Sequence, residues 1–142
     1  MFDSSHFHPM LVHFPIALVV FGFLSDLASL FFKKEACLSK LGFYLLILGT
    51  LSALAAWFTG LFFTAEMSGM AGEVKQTHEI FAWLTLGTLL VTSLLRILFQ
   101  SGKTESARLK WVVFTLYGLA TLFVTITGFY GGTLVYNYMM PL

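Results

Sequence analysis

Charge is what this chain has least of. Only 11% of its 142 residues are Asp, Glu, Lys or Arg, against roughly 25% in a soluble domain. The formal net charge is +1, so nothing attracts the chain to a polyanion, and nucleic acid is excluded as a partner. There is one cysteine, Cys37, which excludes an internal disulfide and any cysteine-pair metal motif. The start, Met1-Phe2-Asp3-Ser4-Ser5, lacks a basic region, and the apolar run behind it is longer than a signal peptide's core, so no cleaved leader is expected. No serine or cysteine nucleophile stands in a recognisable setting and there is no phosphate loop. Enzymatic activity is therefore left open.

Apolar residues fill the space: 58% of the chain is hydrophobic, which points to a lipid bilayer as the solvent. Four stretches, at about 11–32, 41–64, 77–99 and 110–134, reach the ~20 residues that a transmembrane helix needs. Short links between them make neighbours antiparallel. The expected fold is all-α, an up-down bundle of four transmembrane helices forming a single domain over 1–142.

The basic residues give a direction. Lys33, Lys34 and Lys40 flank the first link, and Arg96, Lys103, Arg108 and Lys110 flank the third, while Lys75 alone lies on the other side. The positive-inside rule then predicts a multi-pass protein of the bacterial inner membrane, with both termini and the 65–76 link on the periplasmic side. His6, His8 and His13 at the first helix and His78 at the third fall on that outer side.

The two hairpins look like copies running in the same direction. Trp57-Phe58-Thr59-Gly60 matches Ile126-Thr127-Gly128-Phe129, and the offset is about 65–70 residues, depending on whether His13 or His8 is matched to His78. The implied pseudo-two-fold axis lies along the membrane normal. Small residues form packing stripes: Gly49, Ala53, Ala56, Gly60 in the second helix and Thr121, Thr125, Gly128, Gly132 in the fourth. The third helix carries His78, Ala82, Thr85, Leu89, Thr92, Arg96 on one face, and in the first His13 stands a turn above Ala17, then Val20.

An imidazole is costly where a helix enters lipid unless it meets protein, water or a ligand. One histidine from each of two helices is a common way to hold haem b, iron taking an axial imidazole from each side. His13 and His78 are the expected pair, with His8 as substitute because Pro9 and Pro15 blur the helix start. Ala17, Ala82, Gly60 and Gly128 would leave room for the macrocycle, and Phe14, Trp57, Phe81, Trp83 and Phe129 would wall it or form the interfacial aromatic belt. This reading makes the chain an electron-transfer subunit with partner subunits in a larger membrane redox complex. A second reading is a copper site on the outer side, from His6, His8, His13, Met67, Met70, Met139 and Met140. A third is a cofactor-free structural or anchor subunit, its histidines bonding each other or the backbone.

Two more charges need partners. Asp26 and Arg96 lie toward the inner ends of the first and third helices and should pair; otherwise Arg96 snorkels and Asp26 turns to Ser29 or water. The interiors of the second and fourth spans carry no Asp, Glu, His, Lys or Arg, which disfavours a proton path. Glu79, beside His78, is expected to orient it or to cap the helix start.

The stretch His8-Pro9-Met10-Leu11-Val12-His13-Phe14-Pro15-Ile16-Ala17-Leu18 resembles the opening of the DUF2231 predicted membrane proteins. The closing Thr127-Gly128-Phe129-Tyr130-Gly131-Gly132-Thr133-Leu134-Val135-Tyr136 resembles that family's Gly-Gly-x-x-Val-Tyr end, and Thr59-Gly60 and His78 also fit. The resemblance covers essentially the whole chain. It implies a four-helix membrane domain without a settled activity, sometimes joined to cytochrome-like domains, and hence redox work at the outer face. Members often carry a histidine shortly after Val-Tyr; here Asn137-Tyr138 stands there instead. A ligand role for that histidine would be lost in this chain.

Overall fold

A computed structural model describes residues 7–64, 66–102 and 106–138, with Phe7 described by its backbone alone. The described residues are helical with no strand: α1 (Phe7–Leu11), α2 (His13–Phe31), α3 (Ala36–Phe63), α4 (Gly69–Gln100) and α5 (Ala107–Tyr138). Four segments are long and apolar enough to cross a membrane, the first running through α1 and α2 from His8 to Phe31. The break between α1 and α2 follows from Pro15, which has no N–H to offer Leu11. The bonds on either side survive, Val12 N–H to His8 O at 3.1 Å and Ile16 N–H to Val12 O at 3.4 Å, so the axis continues into α2.

The helices outreach the expected spans. α4 begins at Gly69 rather than near residue 77, and α5 runs from Ala107 to Tyr138 rather than 110 to 134. At 1.5 Å per residue each is about 48 Å long, beyond the ~30 Å hydrocarbon thickness. The added turns carry Glu73, Lys75 and Gln76 in α4 and Arg108 and Asn137 in α5, which a search for apolar runs does not cross. Gly69, with φ +65°, starts α4, and Gly102, with φ +69°, closes it. Ser101 N–H donates back to Ile97 O and Gly102 N–H to Phe99 O, a glycine C-terminal cap.

Contacts join α2 to α3, α3 to α4, α4 to α5 and α5 to α2, so α2 and α4 face each other along a diagonal. The faces they present share one pattern. In α1–α2 it reads His8, Val12, Pro15, Val19, Gly22, Asp26, and in α4 His78, Ala82, Thr85, Leu89, Thr92, Arg96. Asp26 and Arg96 are 70 residues apart, and every other pair has the same offset. In α3 the face is Gly42, Leu46, Gly49, Ala53, Ala56, Gly60, and one residue more than that offset gives Val113, Tyr117, Ala120, Val124, Thr127, Gly131 in α5. Val19, Leu46, Leu89 and Tyr117 are fully buried at its centre. Alternating steps of four and three average 3.5 residues, the period that packs near-parallel helices in a left-handed bundle.

Two expected stripes and one glycine match are corrected by this pattern, while the α3 stripe Gly49, Ala53, Ala56, Gly60 stands. In α5 the buried line is Val113, Tyr117, Ala120, Val124, while Thr125 is exposed. In α2 the buried line is Pro15, Val19, Gly22, Asp26; His13 and Ala17 point outward together, toward lipid. The partner of Gly60 is Gly131 rather than Gly128. The α4 stripe stands as expected, from His78 to Arg96.

Candidate functional site

The diagonal puts equivalent residues face to face at both ends. At the histidine end His8 meets His78, with ring centroids 6.2 Å apart and planes at 88°. His8 Nδ1 lies 3.0 Å from Ala56 O and 3.2 Å from Thr59 Oγ1. His78 Nδ1 lies 2.9 Å from Thr127 O. Carbonyls accept, so in each ring Nδ1 carries the proton and Nε2 is the bare nitrogen. Neither Nε2 has a hydrogen-bond partner among the described residues.

The acceptor carbonyls occupy equivalent places in α3 and α5. Each ring also lies against a glycine. A Cβ at Gly60 would sit 3.0 Å from His8 Cε1, and one at Gly131 would sit 3.2 Å from His78 Cε1. A larger residue at either position would push the ring off its carbonyl. A carbonyl held by Nδ1–H fixes the tautomer and makes Nε2 the more basic ligand, the usual second contact of a metal-bound histidine.

The other expected site residues divide. His13 is exposed, its Nδ1 2.7 Å from Pro9 O in its own helix, and it does not approach His78. Helix periodicity explains why: His13 lies five residues beyond His8 and faces the opposite side. Ala82, partly buried, sits a turn below His78. The position beside Gly128 is taken by Ile16, whose Cδ1 would be 2.9 Å from an added Cβ. Phe14 and Phe129 are exposed, whereas Trp57 packs edge-on to Trp83 at 4.9 Å and Phe81 stacks on Tyr130 at 6.2 Å. Trp57 Nε1 is buried and has no partner among the described residues. Glu79 turns to Lys75, which it meets at 3.6 Å, with Glu66 3.4 Å from the same ammonium group, so His78 is oriented by Thr127 instead. His6, Met139, Met140 and Lys103 lie outside the described residues. Met67 is partly buried and Met70 is exposed at the histidine end.

At the basic end Arg96 Nη2 donates to Asp26 Oδ1 at 2.8 Å, the expected pair, and also to Ser39 O and Oγ at 3.2 and 3.1 Å. Ser29 donates to the Asp26 backbone carbonyl rather than to its carboxylate. Gly42 makes room for that carboxylate, since a Cβ there would collide with Asp26 Oδ1.

His8 as the partner of His78 has a signal in the sequence. Its offset from His78 equals that of Asp26 from Arg96, and the offset of His13 does not.

A membrane bundle of two parallel-running hairpins with matched polar groups on its axis is the class this architecture defines. The chain belongs to the DUF2231 family, described as predicted membrane proteins, whose model matches residues 5–141. No curated protein and no solved structure matches it.

Proposed function

We propose that this chain is a membrane electron-transfer subunit that holds haem b between His8 and His78 and works within a larger redox assembly. The observation that carries the reading is two imidazoles from opposite helices, each anchored through Nδ1, each with a free Nε2, at a centroid spacing of 6.2 Å. A metal bound at roughly 2 Å by both nitrogens would set two five-membered rings about 6 Å apart, centre to centre. His8 and His78 would hold the iron through these nitrogens. The unpartnered Trp57 Nε1 adds a buried donor in the residue next to Ala56, which suits an acidic substituent of a macrocycle.

The haem would supply a one-electron couple. The chain's part is to hold it. Ala56 and Thr127 carbonyls hold the proton on Nδ1 of each ring, which leaves Nε2 as the ligating nitrogen, and Gly60 and Gly131 let the rings lie close to α3 and α5. By the positive-inside rule the basic end faces the cytoplasm and this centre lies near the periplasmic face of a bacterial inner membrane.

Ile16 against Gly128 favours a second reading, because it takes up space that a macrocycle would use. A single soft ion such as Cu(I) needs only the two imidazoles.

Absorption spectra and metal analysis of detergent-purified protein, expressed with ample haem and copper, separate the readings. A Soret band with sharp reduced α and β bands is expected. It should vanish in His8→Ala and in His78→Ala and persist in His13→Ala. One equivalent of copper without the band would replace haem by the ion. A protein carrying neither, or a band that depends on His13, sinks the proposal, and a structural subunit would then be the better description.

A further inference from the structure

The far end of the bundle holds a cavity of about 340 Å³ that the histidine centre does not use. Its wall combines Asp26 and Arg96 with Lys33, Glu35, Lys110 and the ring of Trp111. The volume is at the lower end of small-molecule sites, about 300–1,000 Å³. Three cations face two carboxylates, so the wall is positive by one charge. Asp26 is 3% exposed, and its Oδ2 has no hydrogen-bond partner among the described residues. Arg96 engages only Oδ1. A buried acceptor without a donor costs stability, on the order of 1–3 kcal/mol, more when charged. Asp26 Oδ2 is itself almost wholly covered, so a donor reaches it from the cavity only after a side-chain shift, whereas Lys33 and Lys110 are exposed to a negative charge.

We propose that this cavity binds the headgroup of an anionic phospholipid whose phosphate carries a hydroxyl-bearing substituent, as in phosphatidylglycerol. The phosphate sits with Lys33 and Lys110, and a headgroup hydroxyl donates to Asp26 Oδ2. One phosphate charge neutralises the wall, which a zwitterionic headgroup would not. The position agrees with a lipid source. The cavity lies at the ends of the spans, where headgroups meet water. Trp111, 58% exposed, and the apolar Leu30 and Phe114 continue from the charged wall toward the lipid face. Basic pockets between transmembrane helices are an established way to hold anionic headgroups. The site is independent of any metal at the other end.

The test is native mass spectrometry of the delipidated full chain in detergent, titrated with short-chain phosphatidylglycerol, phosphatidylethanolamine and phosphatidylcholine. Phosphatidylglycerol is expected to bind at least tenfold more tightly than the other two. Lys110→Gln and Lys33→Gln should each weaken it about three- to tenfold and leave phosphatidylcholine binding unchanged. Neither lysine takes part in the hydrogen bonds of the Asp26–Arg96 pair, and circular dichroism of each variant checks that it folds. Asp26→Asn, if it folds, should remove the preference for a hydroxyl-bearing headgroup. Glycerol 3-phosphate should compete weakly. Equal affinity for the three lipids, or indifference to both lysine changes, overturns the proposal. Competition by glycerol 3-phosphate as strong as by the lipid overturns the lipid as the source.

Discussion

The two ends of the bundle solve one geometric problem differently. Each brings residues separated by the same 70-residue step to the pseudo-two-fold axis. At the basic end they are an acid and a base, and they bond each other at 2.8 Å. At the histidine end they are identical, and each bonds its own hairpin instead, His8 to Ala56 and His78 to Thr127. A complementary pair is largely complete by itself. The like pair has no hydrogen bond between its two members. The acid–base pair bonds across the axis, whereas the histidine pair bonds only within its own hairpins.

A double-mutant cycle at each end tests this contrast most directly. Arg96→Leu should cost about 3–5 kcal/mol, because it strands a buried carboxylate. Adding Asp26→Leu should recover most of that, giving a large coupling in thermal or denaturant unfolding. Equal losses in the single and double variants would mean that the pair is not the stabilising unit. Next in size, Gly22→Ala should cost about 1–3 kcal/mol by overpacking, since its Cβ would run into the Tyr117 hydroxyl. Gly87→Ala, with nothing within 4 Å of the added carbon, should instead gain about 0.5–1 kcal/mol of helix propensity. In ligand-free protein His8→Ala and His78→Ala should each cost about 1 kcal/mol, for a lost hydrogen bond to a carbonyl, and should simply add. A coupling at the histidine end that appears only with bound metal would sharpen the comparison; one present without metal would break it. The smallest effect belongs to the Thr50–Ser93 bond between α3 and α4, 2.7 Å long. Thr50→Val should cost about 0.6 kcal/mol, the usual value for hydrogen bonds between helices in a bilayer.

Much of this was legible in the residue order. Apolar run length gave the four crossings, and short links gave their antiparallel order. Pairing of Asp26 with Arg96 followed from the cost of a lone charge at that depth. The α4 face from His78 to Arg96 could be read from its spacing alone. The first helix misled because His13 lies inside the apolar run and His8 ahead of it. Which histidine faces inward depends on helical phase, and Pro9 and Pro15 obscure where the helix begins. Glycine partners were also misassigned. Thr-Gly occurs in both hairpins, but the packing equivalence sets Thr59-Gly60 against Tyr130-Gly131, since space beside a ring is what the position conserves between the halves. The turns at α4's start and α5's end were missed because Glu73, Lys75, Gln76 and Asn137 interrupt the apolar runs there.

The Asp26–Arg96 contact bears on how the two hairpins recognise one another. Two copies of the first would bring carboxylate against carboxylate in the interior, and two copies of the second guanidinium against guanidinium. Self-association is penalised on both sides, while the mixed arrangement is favoured. A symmetric ancestor built from one repeated hairpin would have lost that freedom once these two positions diverged, leaving each half obligate to the other.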